Sequence, residues 1–102
     1  MKFVFVALAT IGILAAGNTA ASEKIAQSSG CMTCHTTDRK VIGPSFKEIA
    51  AKYRDHKDAE SLLVKKIKVG GSGVWGSTPM PPNAHVKEDN IRAVVQWILT
   101  LK

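Results

Sequence analysis

Cys31-Met32-Thr33-Cys34-His35 is the stretch on which the reading of this chain turns. Two thiols three residues apart on a single helical turn can each form a thioether to one of two neighbouring vinyl groups. The residue that follows then falls beneath the iron with its imidazole as an axial ligand. Cys-x-x-Cys-His is accordingly the attachment signature of c-type haem. Three other uses of the pair are weaker. A disulfide across so short a gap closes a tight, strained ring and staples little chain, even in an oxidising compartment. A thioredoxin-like redox pair needs a βαβ context, which the flanking sequence lacks. Zinc needs further Cys or His at ligand spacing, and only His56 and His85 remain, each isolated.

Haem iron has a second axial position, and what fills it decides the chemistry. Beyond the leader described below, four side chains could reach for it: Met32, His56, Met80 and His85. Met32 sits within the attachment turn, on the same side as His35, and cannot reach the far face. His56 lies in the polar link Arg54-Asp55-His56-Lys57-Asp58 and reads as a solvated side chain. Met80 is flanked by Pro79, Pro81 and Pro82, whose fixed φ and effect on the preceding residue hold the segment extended. Stiffening the loop in advance lowers the ordering entropy that a weak iron–thioether bond must overcome. Met80 is therefore the expected ligand, with His85 in reserve.

Upstream of the motif the chain opens on an address. Met1-Lys2 is a short positive start, Phe3 to Ala16 is an apolar run, and Asn18-Thr19-Ala20-Ala21-Ser22 supplies the small residues of a cleavage site. A membrane span needs roughly 20 apolar residues, more than this run offers. Residues 1–21 are thus expected to be a cleaved secretory signal peptide, with the cut after Ala20, Ala21 or Ser22. Residues 22–102 form one exported domain without stable membrane insertion, and its expected location is the periplasm. A domain of about 80 residues folds only marginally on its own core. A buried cofactor would supply the missing bulk.

The full chain of 102 residues carries 14 Lys and Arg against 8 Asp and Glu, a formal +6, and loss of Lys2 with the leader lowers this to +5. A basic balance favours acidic partner proteins or anionic surfaces and is silent about fold. The lysines are scattered, with no run longer than two and no aromatic platform between them, so nucleic acid is not an expected partner.

No segment alternates apolar and polar residues in the manner of a strand, and the expected fold class is all-α. Ser22 is placed to cap a helix starting at Glu23. Ser45 with Glu48 forms a capping box ahead of Phe46, Ile49, Ala50 and Tyr53 at helical spacing. Asp58 is placed to cap a third helix, with Leu62, Leu63 and Ile67 on one side and Lys65, Lys66 and Lys68 on the other, ending at Gly70-Gly71. The clearest helix carries Ile91, Val94, Val95, Ile98 and Leu101 as one stripe, with Glu88 and Asp89 near its start and Lys102 at its end. Between the last two helices, residues 70–83 hold four glycines and three prolines. A connection so long and stiff in so small a domain is more often functional than decorative.

Taken with Val41-Ile42-Gly43-Pro44, Gly73-Val74-Trp75-Gly76, Pro79-Met80-Pro81-Pro82-Asn83 and Trp97-Ile98-Leu99, the Cys31–His35 motif resembles the small class I bacterial cytochromes c. These are single-haem periplasmic electron carriers of the type that donates electrons to nitrite reductase. The resemblance extends over Ser22 to Lys102. It implies about four helices wrapped around one covalently bound haem c, thioethers from Cys31 and Cys34, and His35 and Met80 on the iron. It further implies that the Pro44 carbonyl accepts the His35 Nδ1 hydrogen. Trp75 would donate to a haem propionate, Lys66 would lie near that propionate, and Asn83 would support the Met80 loop. Ala26 departs from the pattern, since such proteins often carry a larger aromatic there.

The function expected on this basis is that of a monomeric one-electron carrier of a respiratory chain, not an enzyme. Its expected partners are a membrane quinol-oxidising complex and a terminal reductase or oxidase, nitrite reductase being the one the resemblance suggests. Two readings from other classes compete with it: a haem enzyme or gas sensor with an open iron, and a haem-free thiol–disulfide protein.

Overall fold

Residues 16–102 are described by the computed structural model, so the apolar run of the expected leader, up to residue 15, lies outside the described residues. Four α-helices follow in order: α1 (Ala16–Ser28), α2 (Phe46–Tyr53), α3 (Ala59–Val69) and α4 (Glu88–Thr100), with a 3-10 turn at Cys31–Thr33 between α1 and α2. Among the described residues there is no β-strand. Two isolated antiparallel bridges stand in their place, His35 with Lys40 and Gly71 with Met80.

The second helix shows how the sequence sets its own start. A helix leaves its first N–H groups without internal partners, and here each has one. Phe46 N donates to the Thr36 carbonyl at 2.9 Å and Lys47 N to the Thr37 carbonyl at 3.1 Å. Glu48 N donates to Ser45 Oγ at 3.0 Å, the capping bond expected from the sequence, and Ile49 N to the Ser45 carbonyl at 3.1 Å. The carbonyls of residues just past Cys34-His35 thus fix the origin of α2, and Ser45 itself is only 1% exposed.

Helix α4 is the central strut and packs against α1, α2 and α3. Its buried face comprises Ile91, Val94, Val95, Trp97 and Ile98, which meet Ala26 of α1, Phe46, Ile49 and Ala50 of α2, and Leu63 and Val64 of α3 in one cluster. Ala26 is completely buried in that cluster. The small side chain at this position is filled around by its neighbours, so the departure from the aromatic pattern leaves α1 docked on α4. Arg92 ties the outer sides of α3 and α4 together, at 2.9 Å from Glu60 and 3.4 Å from Glu88.

Several local expectations shift. Among the described residues helix α1 already runs from Ala16, upstream of Glu23, and Ser22 is a buried position within it, not its cap. Ala20 and Ala21 are strong helix formers and extend the helix upstream across the expected cleavage site. Asp58 precedes α3 but makes no side-chain cap bond; the helix starts instead from a turn in which Ala59 N donates to the His56 carbonyl. Leu62 is exposed, and the buried face of α3 runs through Ala59, Leu63 and Val64. Helix α4 ends at Thr100, which leaves Leu101 and Lys102 beyond it, and Trp97 joins the buried stripe.

Ser45→Ala removes the one side-chain acceptor in the α2 cap. It is expected to lower stability by about 1 kcal/mol, read as a lower denaturant midpoint with an unchanged slope.

Candidate functional site

Helices α2 and α3 both pack on α4 but leave a space beside that shared cluster. Between them and the two irregular segments lies a cavity of about 230 Å³, measured as the space open to the centre of a water-sized sphere. One water needs roughly 10–15 Å³ on that measure. Protein interiors are otherwise packed as densely as organic crystals, so a space of this size marks the seat of a bulky group. Its floor is apolar, from Ile49, Leu63, Val94 and Ile98. Cys31, Cys34, His35, Pro44, Lys66, Trp75, Met80 and Asn83 all line it. The chain therefore brings to one place the residues that the resemblance assigns to the haem.

On one wall, the 3-10 turn places both thiols toward the cavity and leaves them free. Burial pushes the Cys31 thiol above its ordinary range. Both thiols face the space that a covalently attached group would fill.

His35 follows the turn and is 9% exposed. Its Nδ1 lies 2.6 Å from the Pro44 carbonyl, as expected. A carbonyl only accepts, so Nδ1 carries the hydrogen and Nε2 keeps its lone pair free for a metal. The segment that supplies this carbonyl is itself tied back, with Gly43 N donating to the Cys34 carbonyl at 2.8 Å.

The Met80 segment is held by main-chain bonds as well as by its prolines. Met80 N donates to the Gly71 carbonyl at 2.9 Å and Gly71 N returns a bond to the Met80 carbonyl at 3.0 Å. Asn83 secures the far side: its backbone N donates to the Ile67 carbonyl at 3.0 Å, and its Nδ2 reaches the Ile67 and Pro81 carbonyls at 3.3 and 3.2 Å. The loop is thereby pinned to the C-terminal end of α3. Of the other three donors weighed from the sequence, Met32 packs against the core and His56 and His85 are exposed, and none of them lines the cavity.

Trp75 is 39% exposed at the cavity's edge, and the Lys52 ammonium sits 5.6 Å from the centre of its ring. This cation–π pairing joins α2 to the 70–83 loop, a link that sequence spacing does not reveal because the partners are 23 positions apart. Phe46 was legible only as a helix-face residue. In the structure its ring stacks on His35, with centroids 5.3 Å apart and planes 26° from parallel.

The chain was compared with known proteins. A family model described as cytochrome c matches residues 16–102. Cytochrome c-552 of Nitrosomonas europaea is 48% identical over 94 residues, covering 92% of this chain and 91% of that protein. Cytochrome c-551 of Pseudomonas aeruginosa is 43% identical, over 93% of this chain and 91% of that one. The crystal structure of the Nitrosomonas europaea protein superimposes with a TM-score of 0.76 at 50% identity, covering 78% of this chain and 99% of that one.

Gly70 occupies φ 68°, ψ −158°, a region open essentially to glycine alone. A Cβ there would also collide with the Met80 carbonyl and the Pro81–Pro82 backbone. Gly70→Ala is expected to cost about 1–3 kcal/mol and to speed amide exchange at Gly71 and Met80, measured by hydrogen-exchange NMR.

Proposed function

Because the chain belongs to the cytochrome c family and carries its one covalently bound haem c, we propose that it is a soluble periplasmic one-electron carrier with His35 and Met80 as the axial ligands of the iron. The observation that carries this reading is the convergence of Cys31, Cys34, His35 and Met80 on one apolar cavity, to the exclusion of the other candidate donors. The bound haem supplies reversible one-electron chemistry at iron. The chain's own residues do the rest.

Cys31 and Cys34 hold the group covalently. His35 is fixed in one tautomer by Pro44 and presents Nε2 to the metal. Met80 is presented by a backbone that Gly71 and Asn83 hold in place before ligation. With His35 and Met80 both bound to the iron, no site would be left for oxygen, peroxide or substrate, which favours a carrier over an enzyme or gas sensor. A thioether ligand and an apolar lining both favour the less charged ferrous state, which raises the reduction potential relative to two imidazoles. Trp75 and Lys66, which line the cavity, would meet the negative propionates.

Residues 1–21 serve as the export signal. A cut between Ala20 and Ser22 leaves the remainder of α1 seated on α4 through Ala26. Among the described residues no helix is long and apolar enough to cross a membrane. The basic surface steers brief encounters with acidic partners, raising on-rate more than affinity. Those partners are a membrane quinol-oxidising complex on one side and a terminal reductase, nitrite reductase among them, or an oxidase on the other, met by a monomer.

Two measurements test the reading. The exported protein should have the mass of the shortened chain plus one haem, and the added mass should survive acid denaturation; a bare polypeptide mass would favour the thiol–disulfide alternative. Met80→Ala should keep the haem attached, lower the reduction potential and admit carbon monoxide to the ferrous protein. The unsubstituted protein should refuse carbon monoxide at neutral pH, and rapid binding would return the open-iron alternative.

A further inference from the structure

His35 is constrained by more than its hydrogen bond to Pro44. A single bond from Nδ1 fixes the tautomer and one point of the ring, but the imidazole can still swing about the axis through that bond. Two further contacts oppose this. The Phe46 ring stacks on the imidazole at 5.3 Å and 26°. The Gly43 backbone lies so close that a Cβ built on it would fall 2.6 Å from Cε1 and 2.9 Å from Nδ1 of the same imidazole.

Neither wall is free to yield. Phe46 is 2% exposed, and its ring also meets Trp97 of α4 in an edge-type contact, with centroids 5.3 Å apart and planes at 70°. Its backbone N is bonded to the Thr36 carbonyl, one residue beyond His35. Gly43 N is bonded to the Cys34 carbonyl, one residue before it. Both walls are therefore tied to the segment that carries the imidazole, and they move with it.

We infer that Phe46 and Gly43 form a clamp that sets the rotation of the His35 imidazole about its bond to the iron, with Trp97 as the backstop. They are positioning residues and act through His35. The inference rests on the proposed role of His35 as a ligand. Ring rotation matters because the overlap of the imidazole π system with the iron d orbitals depends on it. That overlap decides how unpaired spin spreads over the four pyrroles in the ferric state. Outer groups that orient a ligating histidine commonly tune the metal in this way.

The test uses the ferric holoprotein, whose four haem-methyl proton shifts report the spin distribution. Phe46→Leu removes the stacked ring, Phe46→Tyr keeps it, and Gly43→Ala presses a methyl onto the imidazole. Val95→Ala truncates a fully buried residue that does not line the cavity, and serves as the control for lost stability alone. The expected result is that Phe46→Leu and Gly43→Ala change the spacing and order of the four methyl shifts, whereas Phe46→Tyr and Val95→Ala keep the parent pattern. Should Phe46→Leu fail to accumulate, Gly43→Ala against Val95→Ala decides. The clamp is overturned if the pattern in the first two variants moves no more than in Val95→Ala. The long-wavelength sulfur-to-iron band, recorded on the same samples, separates the two levels. Its absence from the parent protein overturns Met80 as a ligand in the proposed function and leaves the His35 clamp to the methyl pattern, and its retention with an unmoved methyl pattern overturns the clamp alone.

Discussion

The interior of this chain cannot close on itself, and the rest of the structure follows from that. Helices α2, α3 and α4 share a packed cluster on one side, yet on the other they frame a cavity far larger than a well-packed interior leaves empty. Covering such apolar walls with water is unfavourable in proportion to their area. The covalent haem of the family meets this need and supplies bulk that a core of this size lacks. Binding the group is on this account part of folding, as it is for other small domains built around a cofactor.

The two walls of the cavity solve different problems. The His35 wall is local in sequence: the 3-10 turn, the imidazole, its carbonyl acceptor and the start of α2 all fall within residues 31–49, bound by short-range main-chain bonds. The Met80 wall is a long loop with little regular structure. Its order comes from prolines within it and from bonds back to α3 through Gly71 and Asn83. A weak sulfur ligand gains most from such advance ordering, since less entropy is lost when it binds. The strongly bonding imidazole is instead held for direction.

Charge completes the picture without shaping the fold. Lys40 and Lys66 line the cavity, and Lys52 lies over the half-exposed Trp75, so cationic side chains border the opening through which an electron would pass. A surface of this kind accelerates encounter and then releases its partner, as a shuttle requires.

The covalent chemistry was legible in the chain as written. Cys31, Cys34 and His35 stand together because attachment and ligation are set by spacing along one turn, and the Pro79–Pro82 context marked Met80 by stiffness alone. Amphipathic periodicity likewise gave the all-α class and most of the α4 stripe, and the Ser45 capping box placed the start of α2. Other features depend on residues distant in sequence. That Met80 lines the cavity and His56 and His85 do not is a property of the folded chain. Leu62 lies at the surface and Val64 in the core because the neighbour on α4 selects which stripe of α3 is buried. The stacking of Phe46 on His35 and the seat of Ala26 depend on where α2 and α1 meet α4. Local bonding is a function of spacing, and packing is a function of which surfaces the fold brings face to face.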